Sequence, residues 1–438
     1  MFHTSKSVRM MDTLTGLLSL SNLPHSWEGD VRNPLFTFSL VGETYGFYLN
    51  NVVQNVEVLL FLIATGLVGG AVARVLYQAV ILPKRQDTSM AYLLGYGVII
   101  PFWILSPMYI IQTLRITNKV FRFCMGTVPT LGIFRTMEVI HGFCPGHLTE
   151  SMRTFALYYS CPFLALYDHK KQQFVKATLG AVLQRLMWYI QGMILTGTVH
   201  SLYELFPDIF PQFGTGNEFD KQAWYSWQEI FRWQRLWENL CFTVFFSIYL
   251  STCAFGLQVF VMLFTGIQIE EMWVDPVSKS VSFSEFWARR WNLSVHTTLK
   301  RGVFKPVRRF FPKYVALAST FLASGLFHEW IVWLTFAPVF ESISDARNKD
   351  SCPNASCFQP TYGPAIVFFL FQAMLIALEF LVGSHLKGFT DAIPTPLATL
   401  LVVCIGGSMA HWFSDGYVHS SFFLDAQVAY IGIKGMND

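Results

Sequence analysis

Long apolar runs alternate with short polar segments along the chain of 438 residues. A helix that crosses the hydrocarbon core of a bilayer, which is about 30 Å thick, needs about 20 apolar residues. Six runs have this length, and a seventh, Pro396–Phe413, is shorter but adequate. The six are Val56–Tyr77, Ala91–Ile111, Phe174–Leu195, Leu240–Thr265, Tyr314–Phe336 and Tyr362–Val382. The pattern predicts an all-α fold, a polytopic bundle of transmembrane helices.

Two further segments are less regular. Phe123–Val139 is apolar but is interrupted by Arg135 and a proline, so it could cross the membrane, re-enter it or lie at its surface. Leu35–Leu49 mixes polar and apolar residues and is not expected to span alone. We therefore expect seven or eight spans, and about eight if Phe123–Val139 crosses. Because no internal repeat is visible, we interpret residues 55–438 as a single membrane-embedded domain and residues 1–54 as an N-terminal interfacial or luminal segment.

The composition supports a membrane protein. Hydrophobic residues make up 53% of the chain even without its 30 glycines, and charged residues only 13%. Ordinary soluble chains have about 45–50% apolar residues with glycine included, and about 25% charged residues. The surplus apolar side chains must face lipid, because a water-facing apolar surface of that size would aggregate. The net charge is +3 and no long basic block occurs, so a nucleic-acid partner is not expected.

The positions of lysine and arginine predict the orientation of the spans, because loops rich in these residues stay on the cytosolic side. Residues 289–313 include eight basic side chains and no acidic one, so we expect this segment in the cytosol. The pairs Lys84-Arg85 and Lys170-Lys171 are expected on the same side.

Because successive spans cross the membrane in opposite directions, residues 341–361, one span after the basic segment, are expected in the lumen. This segment contains a glycosylation sequon at Asn354, which could receive a glycan only on that side. Cys352 and Cys357 flank the sequon, and the sequence leaves open whether they form a disulfide. If Phe123–Val139 crosses the membrane, the predicted topology is consistent along the chain and places both chain ends in the lumen.

A histidine inside an apolar span is the first candidate for chemistry. His328 lies fourteen residues after Tyr314, which is roughly 21 Å along a helix. Glu329 follows it directly. Ionisable residues at such a depth are costly unless they face a cavity or each other. A neutral imidazole suits general-base catalysis. The alternative is a structural histidine that hydrogen-bonds a neighbouring helix.

Aromatic and basic residues alternate in a second cluster, residues 282–292, with the sequence SFSEFWARRWN. Such a mixture beside a span is typical of an interfacial anchor. It could also form a cytosolic entrance, since Arg289 and Arg290 would attract a polyanion such as the phosphates of coenzyme A. Asn292 could orient a reacting carbonyl group, because its amide can both donate and accept hydrogen bonds.

Together, the two clusters resemble the membrane-bound O-acyltransferase superfamily. The segments EFWARRWN at 285–292 and SGLFHE at 324–329 are similar, in the same order, to two motifs of its wax-synthase-like branch. Ala288 stands where that branch has another small residue, glycine. The likeness covers residues 282–330, and the other spans fit the superfamily only in general character.

The resemblance implies a helical bundle around a catalytic tunnel, with acyl-CoA arriving from the cytosol and a hydroxyl acceptor from the bilayer or the lumen. It implies a catalytic pair in which His328 takes the proton of the acceptor hydroxyl and Asn292 positions the acyl group or stabilises developing charge. The residues implied to bind substrate are Trp287, Arg289, Arg290, Trp291 and Glu329. No metal is expected, and no cofactor besides acyl-CoA as co-substrate.

The most direct acceptor is a long-chain fatty alcohol, which would make the product a wax ester. The resemblance leaves open a sterol, a terpenoid or diacylglycerol as acceptor, and acetyl-CoA as donor. Membrane lipids are the other expected partners, and the expected location is the endoplasmic reticulum membrane, with multiple spans. A transporter or channel is the alternative class, because His328, Glu329 and Arg185 could form an ion path. No inverted repeat, which many transporters have, is visible in the sequence.

Other residues carry weaker signals. His296 could share a helical face with the end of the second cluster, but a structural or surface role is favoured. His411 begins the sequence HWFSDG, which is half of the HHxxxDG motif of a different, soluble type of wax ester synthase. We interpret this match as coincidence. His141 and His147 lack the spacing of common zinc ligands. Arg185 should face the bundle interior, where a structural ion pair is favoured.

Overall fold

A computed structural model describes residues 36–40, 43–49, 52–114, 116, 118–206, 208–211, 226–336, 361–419, 422–423 and 429–433. The chain forms two compact units. The larger comprises the described residues from 52 to 430, and the smaller comprises the described residues 36–40, 43–49 and 431–433. The sequon at Asn354 and the flanking Cys352 and Cys357 lie outside the described residues.

The strands of the described residues are short. They are β1 (Phe36–Leu40), β2 (Glu43–Leu49), β3 (Tyr167–Asp168), β4 (Gln173–Phe174) and β5 (Ala429–Ile433). β1 and β2 form an antiparallel hairpin with Phe38 opposite Tyr45, and β5 completes a three-stranded sheet in the order β1-β2-β5. Within the mixed pattern of residues 35–49, the described residues 36–40 and 43–49 therefore form strands. β3 and β4 pair as a separate two-stranded ribbon.

Helices account for nearly all of the regular structure in the larger unit. They are α1 (Val52–Leu76), α2 (Ser89–Leu114), α3 (Lys119–Ile140), α4 (Gly146–Thr149), α5 (Met152–Ser160), α6 (Leu179–Leu205), α7 (Trp233–Thr265), α8 (Pro276–Lys279), α9 (Phe283–Glu285), α10 (Leu293–Leu299), α11 (Lys305–Arg308), α12 (Lys313–Phe336), α13 (Pro364–Ala392), α14 (Thr395–Gly406) and α15 (Ala410–His419). Wider π-helical turns occur at Tyr77–Ile81, at Gly95–Ile99 within α2, at Phe286–Arg290 and at Lys300–Phe304. A 3₁₀ turn precedes α7 at Glu229–Phe231.

Five of the described helices are long and apolar enough to cross a membrane. They comprise Val58–Ile81, Ser89–Leu114, Trp233–Thr265, Lys313–Phe336 and Pro364–Gly383. Their outer surfaces carry exposed leucines, for example Leu67 of α1, Leu263 of α7 and Leu381 of α13. Because apolar surfaces of this extent are stable only against lipid, the prediction of a polytopic helical membrane protein is confirmed.

The predicted span Phe174–Leu195 has different bounds in the structure. Phe174 lies in β4, and α6 begins only at Leu179. The hydroxyl oxygen of Thr178 caps this helix by accepting a hydrogen bond from the backbone N–H of Ala181 at 3.2 Å. Such a cap fixes a helix start that an apolar run alone does not mark.

The prediction that Pro396–Phe413 forms one span is wrong. The chain forms α14, turns, and continues as the separate helix α15. Gly406 and Gly407 interrupt the apolar run, and each glycine weakens a helix by about 1 kcal/mol relative to alanine.

α3 contains the irregular run Phe123–Val139 and lies antiparallel to α2. Just before α2, the backbone N–H of Asp87 donates to the carbonyl oxygen of Ile140 at 2.8 Å. At the other end of α3, Met125 packs against Ile111 of α2. The buried charged residues of α3 are Arg122, Arg135 and Glu138. α3 therefore crosses the bundle although its polar residues keep its hydropathy low.

The basic segments meet at one end of the larger unit. Arg309, after α11, forms an ion pair with Asp87 and donates a hydrogen bond to the carbonyl oxygen of His141 at 3.1 Å. We call the region around these three residues the basic end. At the opposite end, the last turn of α12 packs against the end of α2 and the start of α3. This agrees with the prediction that Lys84-Arg85 and residues 289–313 lie on one side of the membrane.

An aromatic core lies between α7, α12, α13 and α15. Its buried rings include Phe245, Phe246, Tyr249, Phe336, Phe369, Tyr417, Phe422 and Phe423. α13 runs antiparallel to α12, because Ile366 near its start lies against Gly325, whereas the ring of Phe380 lies 3.7 Å from Nζ of Lys313. This packing determines where along the bundle the side chain of His328, on α12, enters the aromatic core.

Candidate active site

His328 projects from α12 into the aromatic core with one ring nitrogen engaged. Its Nδ1 lies 2.8 Å from the backbone carbonyl oxygen of Ser324, one helical turn earlier. Since a carbonyl oxygen only accepts, Nδ1 carries the proton and Nε2 has the free lone pair. Within the described part of the chain, Nε2 makes no hydrogen bond. The geometry therefore selects the tautomer in which Nε2 can take up a proton.

Three phenylalanine rings surround the imidazole. The centroid of the His328 ring lies 4.4 Å from that of Phe369, in a stacked arrangement, 4.9 Å from Phe327 and 5.2 Å from Phe413. These rings hold the plane of the imidazole, which is half-buried. Apolar surroundings of this kind strengthen electrostatic interactions at the ring.

The other residues of the segment 324–329 dock α13 against α12. A Cβ atom on Gly325 would lie only 2.7 Å from Cα of Ile366, so the two helices approach too closely for a larger residue. Oε1 of Glu329 accepts hydrogen bonds from the backbone N–H groups of Ala365, at 2.9 Å, and Ile366, at 3.4 Å. A carboxylate at a helix N-terminus is stabilised by these free N–H groups. Glu329 therefore caps α13, which places Phe369 one turn later on His328.

The second motif folds around a π-helical turn. The backbone N–H of Trp291 donates to the carbonyl oxygen of Phe286 at 2.8 Å. Arg290 donates to Oε1 of Glu285 from Nε at 3.0 Å and from a terminal nitrogen at 2.6 Å, and also to the carbonyl oxygen of Val274 at 3.1 Å. Arg290 thus holds the turn closed. Although partial burial raises the pKa of Glu285, the N–H of Val281 and the Arg290 guanidinium bring that pKa below its ordinary value.

Trp287 joins the two motifs. Its ring centroid lies 5.8 Å from Phe369, the residue that stacks on His328. Its indole Nε1 donates a hydrogen bond to Oε1 of Gln372 at 3.2 Å. Ser284 is held from the same helix, because its backbone N–H donates to Oε2 of Glu379 at 3.0 Å. The structure therefore brings the segments 282–291 and 324–329 together on one face of α13.

Asn292 marks the end of the second motif in a left-handed backbone conformation, with φ +40° and ψ +65°. Asparagine adopts this conformation more readily than most residues. Its Oδ1 accepts a hydrogen bond from the backbone N–H of Val295 at 3.3 Å and so caps α10. The amide nitrogen Nδ2 is left available as a donor within the described residues. α10 in turn packs on α12 through Val295 and Phe327.

The remaining predicted binding residues have different environments. Trp291 is half-buried and stacks on Phe286 at a centroid distance of 5.3 Å. Arg289 and Lys300 are exposed, and no described residue forms an ion pair with either. Arg301, by contrast, lies 3.6 Å from the buried carboxylate of Glu138. Of the basic residues in 289–313, Arg289 and Lys300 are therefore free to meet an anionic ligand, whereas Arg290 and Arg301 hold the fold.

The weaker candidates have structural environments. Burial and the nearby Lys300 lower the pKa of His296 to about 4, so its imidazole is neutral at pH 7. Nδ1 of the buried His411 lies 3.0 Å from the side-chain nitrogen of Asn239, between α7 and α15. Among the described residues, no group of three potential ligands forms a metal site.

The expectation of a structural pair for Arg185 is confirmed. Its guanidinium lies 3.8 Å from Glu271 and 4.6 Å from the centre of the Trp188 ring.

The sequence reasoning missed the contribution of α13. Phe369 stacks on the histidine, while Gln372 and Glu379 bind the other motif. A signal was present, since Gln372 and Glu379 are polar residues two helical turns apart in an otherwise apolar span. Polar residues within a membrane span usually face the protein interior and a partner.

These features define a polytopic helical membrane protein with a half-buried imidazole where two motifs meet. The model of the membrane-bound O-acyltransferase (MBOAT) family matches residues 217–377 of the chain, a region that includes both motifs. The family resemblance inferred from the motifs is thereby confirmed.

Three curated proteins of Arabidopsis thaliana are similar to part of the chain. They carry the names "Probable long-chain-alcohol O-fatty-acyltransferase" 2, 9 and 1, and are 35%, 32% and 32% identical to it over 105, 101 and 97 residues. The similar segments cover 20–21% of this chain and 28–30% of each relative. The chain thus matches less than a third of the length of these relatives.

Proposed function

We propose that the protein is a membrane-bound O-acyltransferase that moves an acyl group from acyl-CoA to the hydroxyl group of a hydrophobic alcohol. The observation that carries this proposal is the state of His328. Its Nδ1 is bonded to the Ser324 carbonyl oxygen, and its Nε2 is unpaired inside a shell of aromatic rings. A fixed imidazole with one free nitrogen is suited to act as a general base on an alcohol.

The reaction can be written with these groups. Nε2 of His328 takes the proton of the acceptor hydroxyl as its oxygen attacks the thioester carbonyl carbon. The new carbon–oxygen bond forms, the carbon–sulfur bond breaks, and the imidazolium returns the proton to the thiolate of coenzyme A. The amide nitrogen of Asn292 is the candidate donor to the developing oxyanion, and one such donor commonly contributes 10²–10³-fold in rate.

The charge distribution supports delivery of acyl-CoA from the basic end. Arg289 and Lys300, in the basic segment 289–313, are exposed without ion pairs among the described residues, so they can bind the phosphates of coenzyme A. A cytosolic position of this end is consistent with the concentration of basic residues in 289–313. We propose the endoplasmic reticulum membrane as the location, because acyl-CoA and lipid alcohols are both accessible there.

We propose a long-chain fatty alcohol as the acceptor and a wax ester as the product. The names of the similar Arabidopsis proteins refer to long-chain alcohols. The aromatic surroundings of His328 also favour an acceptor whose tail is apolar, since each buried methylene group gains about 0.8 kcal/mol.

A product assay tests this function. Membranes from a host that lacks neutral-lipid synthesis, with and without the expressed chain, would receive labelled palmitoyl-CoA together with hexadecanol, a sterol or diacylglycerol. We expect labelled wax ester with hexadecanol and smaller amounts of the other esters. Esterification of the sterol or diacylglycerol alone would reject the fatty alcohol but keep the chemistry. Ion flux without any acyl transfer would reject the acyltransferase and favour a transporter.

A further inference from the structure

Two buried hydroxyl groups in the aromatic core have no hydrogen-bond partner among the described residues. The side chain of Tyr417 on α15 is 1% exposed and that of Thr335 on α12 is 0% exposed. Burying a hydroxyl without a partner is unfavourable, and no water is available to it in a hydrocarbon environment. Two such groups in one region indicate a polar ligand that the protein alone does not supply.

Many hydroxyl groups on the described helices do have a local partner. Several threonines bind the carbonyl oxygen one turn earlier, as Thr320 does to Ala316 and Thr130 does to Gly126, both at 2.7 Å. Thr399 of α14 is a further buried threonine without a partner among the described residues. The hydroxyl of Tyr203, in the same aromatic core, donates to the carbonyl oxygen of Cys241 at 3.0 Å. Backbone carbonyl oxygens in this fold can therefore accept hydrogen bonds from buried hydroxyl groups.

Both hydroxyls lie beyond His328 as seen from the basic end. Thr335 is seven residues after His328 on α12, which puts it on the same helical face and roughly 10 Å further along. The ring of Tyr417 lies 5.8 Å from that of Phe413, which itself lies 5.2 Å from the His328 ring. Tyr417 also contacts Phe123, in the first turn of α3, at 6.1 Å. Since α3 begins at the end opposite to the basic end, Tyr417 lies on that side of the histidine.

We propose that Tyr417 and Thr335 form a positioning site for the acceptor alcohol. The alcohol approaches from the end opposite to acyl-CoA, and its hydroxyl bonds to these two side chains before it reaches Nε2 of His328. The inference rests on the proposed function and deepens it, because it assigns the acceptor its own binding residues. A hydroxyl both donates and accepts, so it matches the hydroxyl of an alcohol. An acyl chain has no polar atom there to satisfy Tyr417 or Thr335.

The test compares two tyrosine-to-phenylalanine variants in the same aromatic core. Tyr417→Phe removes a hydroxyl that no described protein group binds, so the ligand-free protein should keep its melting temperature or gain a little. The KM for hexadecanol should rise roughly 3- to 10-fold, the equivalent of one lost hydrogen bond. The KM for palmitoyl-CoA should stay the same. Tyr203→Phe, the matched control, should lower the melting temperature and leave the KM for hexadecanol unchanged.

A binding measurement keeps this inference separate from the acyl-transfer chemistry. Hexadecanol, but not hexadecane, should raise the melting temperature of the detergent-solubilised wild-type chain, and Tyr417→Phe should reduce that rise. This result would support the alcohol site even if the wild type transferred no acyl group, in which case only the proposed function would fail. An unchanged response to hexadecanol in a folded Tyr417→Phe variant would overturn the inference. An equal rise in the KM for palmitoyl-CoA would overturn it as well.

Discussion

His328 depends on its immediate neighbours for its chemical state. The Ser324 carbonyl oxygen fixes the tautomer, and Phe369 fixes the ring plane. The sequence predicted a base at this position from the cost of burying an ionisable residue and from the family motif. It did not predict which ring nitrogen is free, because that depends on a hydrogen bond one helical turn away and on a ring from another helix.

Glu329 is a motif residue whose described hydrogen bonds are to the backbone of a neighbouring helix. The resemblance implied substrate binding, whereas the structure shows its carboxylate on the first N–H groups of α13. We expect Glu329→Ala to lower stability by about 1 kcal/mol, the usual effect of losing a helix cap. Thermal unfolding of the solubilised protein measures this effect.

The matched variant is Glu329→Gln, whose side-chain oxygen can still accept both hydrogen bonds. It should retain most of the stability and activity. If the glutamine variant were as inactive as the alanine variant while remaining stable, the carboxylate would have a role in substrate binding or catalysis beyond the cap.

At the scale of elements, the pair α12 and α13 builds the site. The sequence predicted α12 to within a residue and the start of α13 to within two, because an apolar run of sufficient length marks a span, but α13 continues ten residues past the predicted end at Val382. It could not predict that α13 carries Phe369, Gln372 and Glu379 to the two motifs, since such contacts join residues that are far apart in the chain. It also placed one helix across Gly406 and Gly407, where the chain turns.

The close approach of α12 and α13 can be tested at a glycine. An alanine Cβ at position 325 would meet Cα of Ile366 at 2.7 Å, and backbone cannot move aside like a flexible side chain. We expect Gly325→Ala to destabilise the protein by about 1–3 kcal/mol, as overpacking usually does. It should also reduce acyl transfer, because Phe369 would shift from His328.

Gly383, in α13, is the matched control, because no heavy atom lies within 4 Å of a Cβ built there. Gly383→Ala should be neutral or stabilise by about 0.5–1 kcal/mol, since alanine favours the helix. Equal melting temperatures for the two alanine variants would show that the helices do not approach as closely as described.

At the scale of the whole molecule, the basic residues define one end of the bundle. The count of lysines and arginines predicted that Lys84-Arg85 and residues 289–313 share a side, and the contacts of Arg309 with Asp87 and His141 bring these segments together. The number of spans was harder to predict. α3 carries buried charges that lower its hydropathy, and only its contacts with α2 show that it crosses the bundle.

Cysteine labelling in intact microsomes tests this orientation. Arg85→Cys and Phe311→Cys introduce thiols at exposed positions of the basic end. A membrane-impermeant maleimide added to the cytosolic side should label both variants above the level of the parent chain. Tyr362→Cys, exposed before α13, should be labelled only after the membrane is opened. Labelling of Arg85→Cys and Phe311→Cys from different sides would contradict the fold.

Replacing His328 is the sharpest test of its proposed role as the base of an acyl transfer. Acyl transfer from labelled palmitoyl-CoA to hexadecanol would be measured in membranes that hold equal amounts of the wild type, His328→Ala and His169→Ala. His169 is exposed in the turn between β3 and β4 and serves as the matched control. We predict that His328→Ala loses at least 100-fold in rate, in line with the contribution of a general base, whereas His169→Ala retains activity. Wild-type activity in His328→Ala would contradict the assignment.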